Sequence, residues 1–351
     1  MIKEIEKILG DETADLLEHR CEKVQASALH HPGPQCIENV LKASDRPLPV
    51  IRNMMTLFNS GRLGKTGYLS ILPVDHGVEH SAGASFSENP EYFDPKKILD
   101  LACTAECSAV ATTVGVLGAV AREYIHRIPF IVKINHNELL SYPNTYDQRF
   151  FASVRKAFEM GAVGIGATIY FGSPQSRRQI EEVARLFEAA HELGMFCVLW
   201  CYIRNSEMSR KDPELAAAVD LSAQANHLGA TLEADIVKQK MPSPLHGFEM
   251  LQYGKTSPGV YRDLLSEHVI DMVRYQVLNG YAGRCPLVNS GGAASGGNDL
   301  ADAVRSAVIN KRAGGAGIIS GRKAFQRPFA EGVALLNAIQ NVYLDKEITL
   351  A

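Results

Sequence analysis

Three lysines in this chain stand where an amine is hard to hydrate. Lys133 interrupts the apolar run Phe130-Ile-Val-Lys-Ile-Asn-His136, while Lys238 and Lys240 close the short run Ala234-Asp-Ile-Val-Lys-Gln-Lys240. A buried ammonium has to be paired or give up its proton. Once burial and a neighbouring cation have brought its pKa down from ~10.4, a lysine amine attacks carbonyls at neutral pH and forms a Schiff base. Lys238 lies deeper in its run than Lys240, with which it shares a strand face, and is the first candidate for that role. Lys133 comes second and Lys240 third. Lys133 is also read as a cation of the site, in preference to a structural partner of a carboxylate, and as the neighbour that lowers the pKa of Lys238.

Further stretches carry groups that suit such a site. Cys197-Val-Leu-Trp-Cys-Tyr202 holds the only tryptophan in the chain, and Trp200 and Tyr202, two apart, face the same side of a strand. A phenol there can transfer protons and an indole can exclude water; two ordinary core aromatics are the alternative. In Leu72-Pro-Val-Asp-His-Gly-Val-Glu-His80, Asp75 precedes a glycine that lets the backbone turn and leaves its carboxylate at a mouth. The same stretch offers His76, Glu79 and His80 as metal ligands. No other carboxylate or cysteine is spaced to complete that set, so hydrogen-bonding histidines are the preferred reading. The segments Asn289-Ser-Gly-Gly-Ala-Ala-Ser-Gly-Gly297 and Gly314-Gly-Ala-Gly-Ile-Ile-Ser-Gly-Arg322 let backbone N–H groups approach an anion. Asp299 and Ala324 follow at helix starts, and Arg322 is a forked donor.

For these groups to meet, the elements that carry them must converge. From Gly67 onward, β-branched or apolar runs alternate with helical segments. The runs are Gly67 to Val74, Ser108 to Thr113, Pro129 to Asn135, Ala162 to Tyr170, Phe196 to Tyr202, Ala234 to Lys240, Pro286 to Ser290 and Gly317 to Ser320. Helices are expected over Asp147 to Met160, Ser173 to Leu193, Leu215 to Leu228, Asp271 to Tyr281, Leu300 to Arg312 and Phe329 to Tyr343. Eight strand–helix units predict an α/β fold, a closed (β/α)8 barrel over residues 67–351, with its reactive groups at the C-terminal ends of the strands. Loops after the seventh and eighth strands are the usual phosphate cradle of that fold. Residues 1–66, broken at His31-Pro-Gly-Pro34 and Asp45-Arg-Pro-Leu-Pro49, read as a helical extension packed on the barrel, with one amphipathic helix from Pro49 to Leu63.

The bulk composition narrows the function classes. The chain has 351 residues, 46% hydrophobic and 21% charged, enough for a large core. Its net charge of −3, without a long basic run, gives no reason to expect nucleic acid or an anionic membrane as partner. No apolar run reaches the ~18 residues of a membrane span, and the N-terminus lacks the apolar core of a signal peptide. Seven scattered cysteines without a C-x-x-C pair read as reduced thiols in a cytoplasmic protein.

Taken together, Leu72-Pro-Val-Asp-His-Gly77, Leu199-Trp-Cys-Tyr-Ile-Arg204, Ala234 to Lys240, Val288-Asn-Ser-Gly-Gly292 and Ser320-Gly-Arg322 resemble the archaeal-type class I fructose-bisphosphate aldolases, in particular their longer bacterial members. The resemblance runs from about Tyr68 to Ala324. It implies a lyase that cleaves fructose 1,6-bisphosphate reversibly, through a Schiff base on Lys238 and proton transfer by Tyr202. It places Asp75 and Trp200 around the substrate, and makes Ser290, Gly291, Gly292, Gly321 and Arg322 the phosphate site. It further implies no metal, no cofactor, and a large homo-oligomer such as a decamer. One departure is Ile203, where shorter archaeal members carry proline. The rival readings are a Schiff-base transaldolase or synthase on another phosphosugar or keto compound, a metal-dependent lyase built on His76, Glu79 and His80, and a non-catalytic phosphosugar-binding protein.

Overall fold

The computed structural model describes residues 1–292, 294 and 297–351. Its centre is a closed parallel barrel of eight strands. These are β1 (Leu69–Val74), β2 (Ala109–Thr112), β3 (Phe130–Lys133), β4 (Gly164–Phe171), β5 (Phe196–Ile203), β6 (Ile236–Gln239), β7 (Leu287–Ser290) and β8 (Gly317–Ile319). Each pairs with the next in sequence, and β8 closes on β1 through Leu69↔Gly317. Such strands are covered on both faces, which is why they read as continuous apolar runs without alternation. β4 and β5 pair along eight residues, from Gly164↔Phe196 to Phe171↔Ile203, and carry the site residues highest above the barrel interior.

Two positions show why the interior can hold large rings. A Cβ on Gly164 would lie 2.4 Å from the Phe196 ring, and one on Gly166 would lie 2.6 Å from the Trp200 ring. Only glycine leaves space there for the facing aromatic groups.

The helices form the outer ring, and their ends follow local chemistry. Ser176–Glu192 stops ahead of Gly194, whose φ of 81° suits glycine, and Asp299–Ala313 ends at Gly314 with φ 95°. The helix expected over Asp147 to Met160 differs. Gln148–Phe150 instead pairs antiparallel with Asn135–Asn137 as a short ribbon, and the helix covers only Val154–Glu159, started by Ser153, whose hydroxyl accepts from Lys156 N. The segment expected as one helix from Leu215 is a 3-10 turn, Pro213–Ala217, then a helix, Val219–Thr231, with an extended Ala218 between them. The helix expected over Pro49 to Leu63 spans Leu48–Phe58.

Residues before β1 do two things. Helix Leu48–Phe58 turns Val50, Met54, Leu57 and Phe58 into the floor of the barrel, where they join Leu69, Ile71, Ile131 and Phe196 in one core that reaches up to Trp200. Helix Ile2–Leu9 lies along Asp299–Ala313. Buried Arg312 holds the chain near it by donating to Leu16 O, His19 O and Thr349 O, and Arg274 donates to Val24 O. Among the described residues, no helix is long and apolar enough to cross a membrane.

Candidate active site

A cavity of about 620 Å³ opens at the C-terminal ends of the strands. Its size suits a drug-sized or sugar phosphate ligand. Lys238, on β6, stands in register with Trp200 on β5 and Val288 on β7, near the bottom of the cavity, with 8% of its surface exposed. Its Nζ donates to the Tyr202 hydroxyl at 2.6 Å, and the Tyr202 hydroxyl lies 2.9 Å from Ser290 Oγ. Two lysine nitrogens lie over the indole of Trp200, Lys238 Nζ at 5.4 Å and Lys133 Nζ at 5.7 Å. Both contacts are within cation–π range.

Lys133, 2% exposed, combines the two readings that the sequence set against each other, a cation of the site and a partner of carboxylates. Its Nζ donates to Asp75 Oδ2 at 3.1 Å and to Glu79 Oε1 at 2.6 Å, so it is both a lining group of the cavity and a partner of two carboxylates. Burial would push the Asp75 carboxyl up, but Lys133, with His76, His136 and Lys238, outweighs it and holds the group far below the usual carboxylate range. Burial likewise acts on Lys133, and Glu79 and Asp75 override it and raise its pKa. Glu79 also accepts from the Tyr170 hydroxyl at 2.8 Å and from Gln148 Nε2 at 3.4 Å, which clips the ribbon onto the site.

These pairings weaken the metal reading of the His76, Glu79 and His80 stretch. Glu79 is committed to Lys133 and Tyr170, and the His76 and His80 rings are stacked 6.1 Å apart. Burial first, and the charge of Arg322 among other causes, pushes His76 down to about 4, which leaves a neutral ring. Among the described residues, the His, Cys and carboxylate groups close enough to share an ion are His19, Cys21 and Asp271, and His191, Cys197 and Asp235; none of these lines the cavity.

Another side of the cavity is lined by Ser290 at the end of β7, Gly291 and Gly292 after it, and Gly321 and Arg322 after β8. Ala293, Ser295 and Gly296 of the first loop lie outside the described residues. Gly291 contributes space: its N–H already donates to Ile319 O at 2.8 Å, and a Cβ there would lie 2.8 Å from Ser320 Oγ. A Cβ on Gly321 would meet Pro73 at 2.8 Å. Lys323 and Arg305 add positive charge; Lys323 is paired with Asp302 at 3.2 Å and Arg305 with Glu12 of the N-terminal segment at 2.8 Å. On the opposite wall, Arg204 places its guanidinium over the rings of both Tyr170 and Tyr202, at 5.4 and 5.8 Å. Lys240 is pushed down to about 8, by burial first and then by Arg204.

Lys133, Lys238, Lys240, Trp200, Tyr202, Asp75, His76, Glu79 and His80 therefore line one cavity with Ser290, Gly291, Gly292, Gly321 and Arg322, whereas Asp299 and Ala324 do not line it. Glu79 as an acceptor hub, Tyr170, Arg204 and the contact of Ser290 with the phenol were not foreseen. Tyr170 was open to discovery, because it pairs with Tyr202 across β4 and β5 once the strands are aligned. Glu79 and Arg204 lie on loops whose path no periodicity reveals, and the contact of Ser290 with the phenol needs the register of strands that are not neighbours in the barrel.

Residues 69–327 match the model of the DeoC/LacD family aldolases. The chain belongs to that family. Over 98% of both chains it is 54% identical to the probable fructose-bisphosphate aldolase class 1 of Chlamydia muridarum. It is 29% identical over 274 residues to the fructose-bisphosphate aldolase class 1 of Halobacterium salinarum, covering 78% of this chain and 90% of that one. Among solved structures, a Schiff-base-forming fructose-1,6-bisphosphate aldolase matches with a TM-score of 0.65 at 25% identity, over 82% of this aldolase and 98% of that chain.

Proposed function

We propose that this aldolase is a class I fructose-1,6-bisphosphate aldolase, cleaving the sugar reversibly to dihydroxyacetone phosphate and glyceraldehyde 3-phosphate. The observation that carries the reading is the Lys238 amine 2.6 Å from the Tyr202 hydroxyl, at the mouth of a barrel beside an anion cradle. Lys238 Nζ adds to the ketose carbonyl, and loss of water leaves an iminium that accepts the electron pair when the carbon–carbon bond breaks. Tyr202 gives and takes the protons of carbinolamine dehydration, cleavage and enamine protonation. Trp200 walls the reacting carbons from water, Asp75 and Lys133 face the sugar hydroxyls as a fixed ion pair, and the β7 and β8 loops with Arg322 hold a phosphate. Residues 1–66 act as an extension of the barrel domain at 67–351, the protein works in the cytoplasm without metal or cofactor, and copies assemble into a homo-oligomer.

Borohydride reduction in the presence of dihydroxyacetone phosphate tests this directly. Intact-mass and peptide analysis should place an irreversible adduct on Lys238, with or without EDTA. Lys238→Ala should unfold at the same temperature as the parent, give no adduct and cleave no fructose 1,6-bisphosphate. An adduct on another lysine, or activity lost to EDTA, would refute the assignment.

A further inference from the structure

Ser290 ends β7 at the start of the glycine-rich loop, a place that suggests an anion ligand, yet its hydroxyl is spent elsewhere. Its Oγ lies 2.9 Å from the Tyr202 oxygen, which itself accepts from Lys238 Nζ. Lys238 Nζ supplies a hydrogen to the phenol oxygen, which leaves the phenol O–H free to donate to Ser290 Oγ. When Tyr202 is a phenolate the contact reverses, and the serine O–H donates to it. A serine hydroxyl serves both states because it donates and accepts.

We infer that Ser290 is a positioning residue for Tyr202, holding the phenol oxygen beside Lys238 Nζ through each change of its protonation, and is not a phosphate ligand. The inference rests on the aldolase reading of Lys238 and Tyr202 and adds to it the group that orients the proton carrier. The backbone supports that duty. Lys238 pairs with Val288, so Ser290 stands two residues further along β7, one layer nearer the mouth. Its own backbone is fixed by register with Ile319 and by the donation of Gly291 N to Ile319 O, so the hydroxyl is aimed by a barrel strand rather than by a loop. Arg204 lies over the Tyr202 ring, which constrains the ring plane but gives its oxygen no hydrogen bond; besides Lys238, the group hydrogen-bonded to that oxygen is Ser290. In enamine formation the phenolate takes the proton from the carbon beside the iminium, the C–H electron pair moves toward the C=N⁺, and the serine keeps its own hydrogen while its contact changes from donor to acceptor.

The test uses the full-length protein with dihydroxyacetone phosphate and reads two quantities: the concentration giving half-maximal borohydride adduct on Lys238, and the rate at saturation of exchange of the adjacent carbon-bound hydrogen with D2O, by proton NMR. Ser290→Ala should change the first by less than about 2-fold and slow the second by about 10-fold or more, while Ser290→Thr restores most of the rate. Ser290→Cys, nearly isosteric and a weak hydrogen-bond partner, should follow the alanine variant and decides the matter if the latter is unstable. A raised half-saturation with an unchanged exchange rate would make Ser290 a phosphate ligand and overturn the inference, as would no change in either. No adduct with the parent protein would sink the aldolase reading itself; a normal parent with indifferent variants sinks only the role of Ser290.

Discussion

Tyr202 touches the proposed nucleophile on one side and Ser290 on the other, so its removal separates proton transfer from binding. Tyr202→Phe should lower kcat for fructose 1,6-bisphosphate cleavage by about 100-fold while Lys238 still forms a reducible adduct. Steady-state kinetics with intact mass would check both. A second residue-scale expectation concerns pH. Burial, and then the charge of Lys133, push His136 down to about 4; its ring nitrogens are buried, with Nδ1 4.0 Å from Glu79 Oε1. Its pKa is depressed on folding, so between about 4 and ~6.5 the unfolded chain binds the proton that the folded chain refuses, and stability falls as pH is lowered through that window. At pH 5 the loss from this one ring should be about 2 kcal/mol relative to pH 7, and urea unfolding of His136→Gln at the two pH values should show a correspondingly smaller difference. Legibility at this scale was uneven. Lys238 showed itself because an amine in an apolar strand violates ordinary burial, whereas Glu79 was noticed only for its spacing from two histidines. Its true partners, Lys133 and Tyr170, come from other strands.

At the scale of elements, β4 and β5 act as one ribbon whose pairing carries Trp200 and Tyr202 to their heights in the site. Gly166 is what lets the indole lie flat against β4. Gly166→Ala should cost about 1–3 kcal/mol by urea unfolding through overpacking, and because the displaced ring underlies both lysines, kcat/KM should fall as well. The eight strands were legible because runs buried on both faces are long, apolar and punctuated by glycine. The ribbon Asn135–Asn137 with Gln148–Phe150 was hidden, because Arg149, Phe150 and their neighbours carry no alternation strong enough to compete with a helical spacing, and its pairing is decided by a loop that must return to β3. The boundary at Ser153 was marked in the sequence by a residue that caps helices, a weaker signal than the apparent periodicity around it.

The whole molecule is tied together from below and from one side. Arg312, on helix Asp299–Ala313, satisfies Leu16 O, His19 O and Thr349 O, so one buried guanidinium ties both the N-terminal and the C-terminal segment to the barrel. Arg312→Met should leave those carbonyls unpaired, cost about 3 kcal/mol or more, and let limited trypsin digestion release the first 20 or so residues before the barrel is cut; urea unfolding and the digestion pattern would measure both. The proline breaks before β1 were legible, but the place of the helix between them and β1 was not, because the apolar face of Leu48–Phe58 shows no sign of which cavity it fills. In the fold it fills the barrel floor, and the core it begins runs without interruption to Trp200. That continuity gives the protein a built-in optical probe. The chain's single indole touches the floor's core below and faces the Nζ atoms of Lys133 and Lys238 above. Its emission, excited where tyrosine does not absorb, therefore reports loosening of the floor as a shift to longer wavelength and conversion of the Lys238 amine as a change in intensity, both in unlabelled protein.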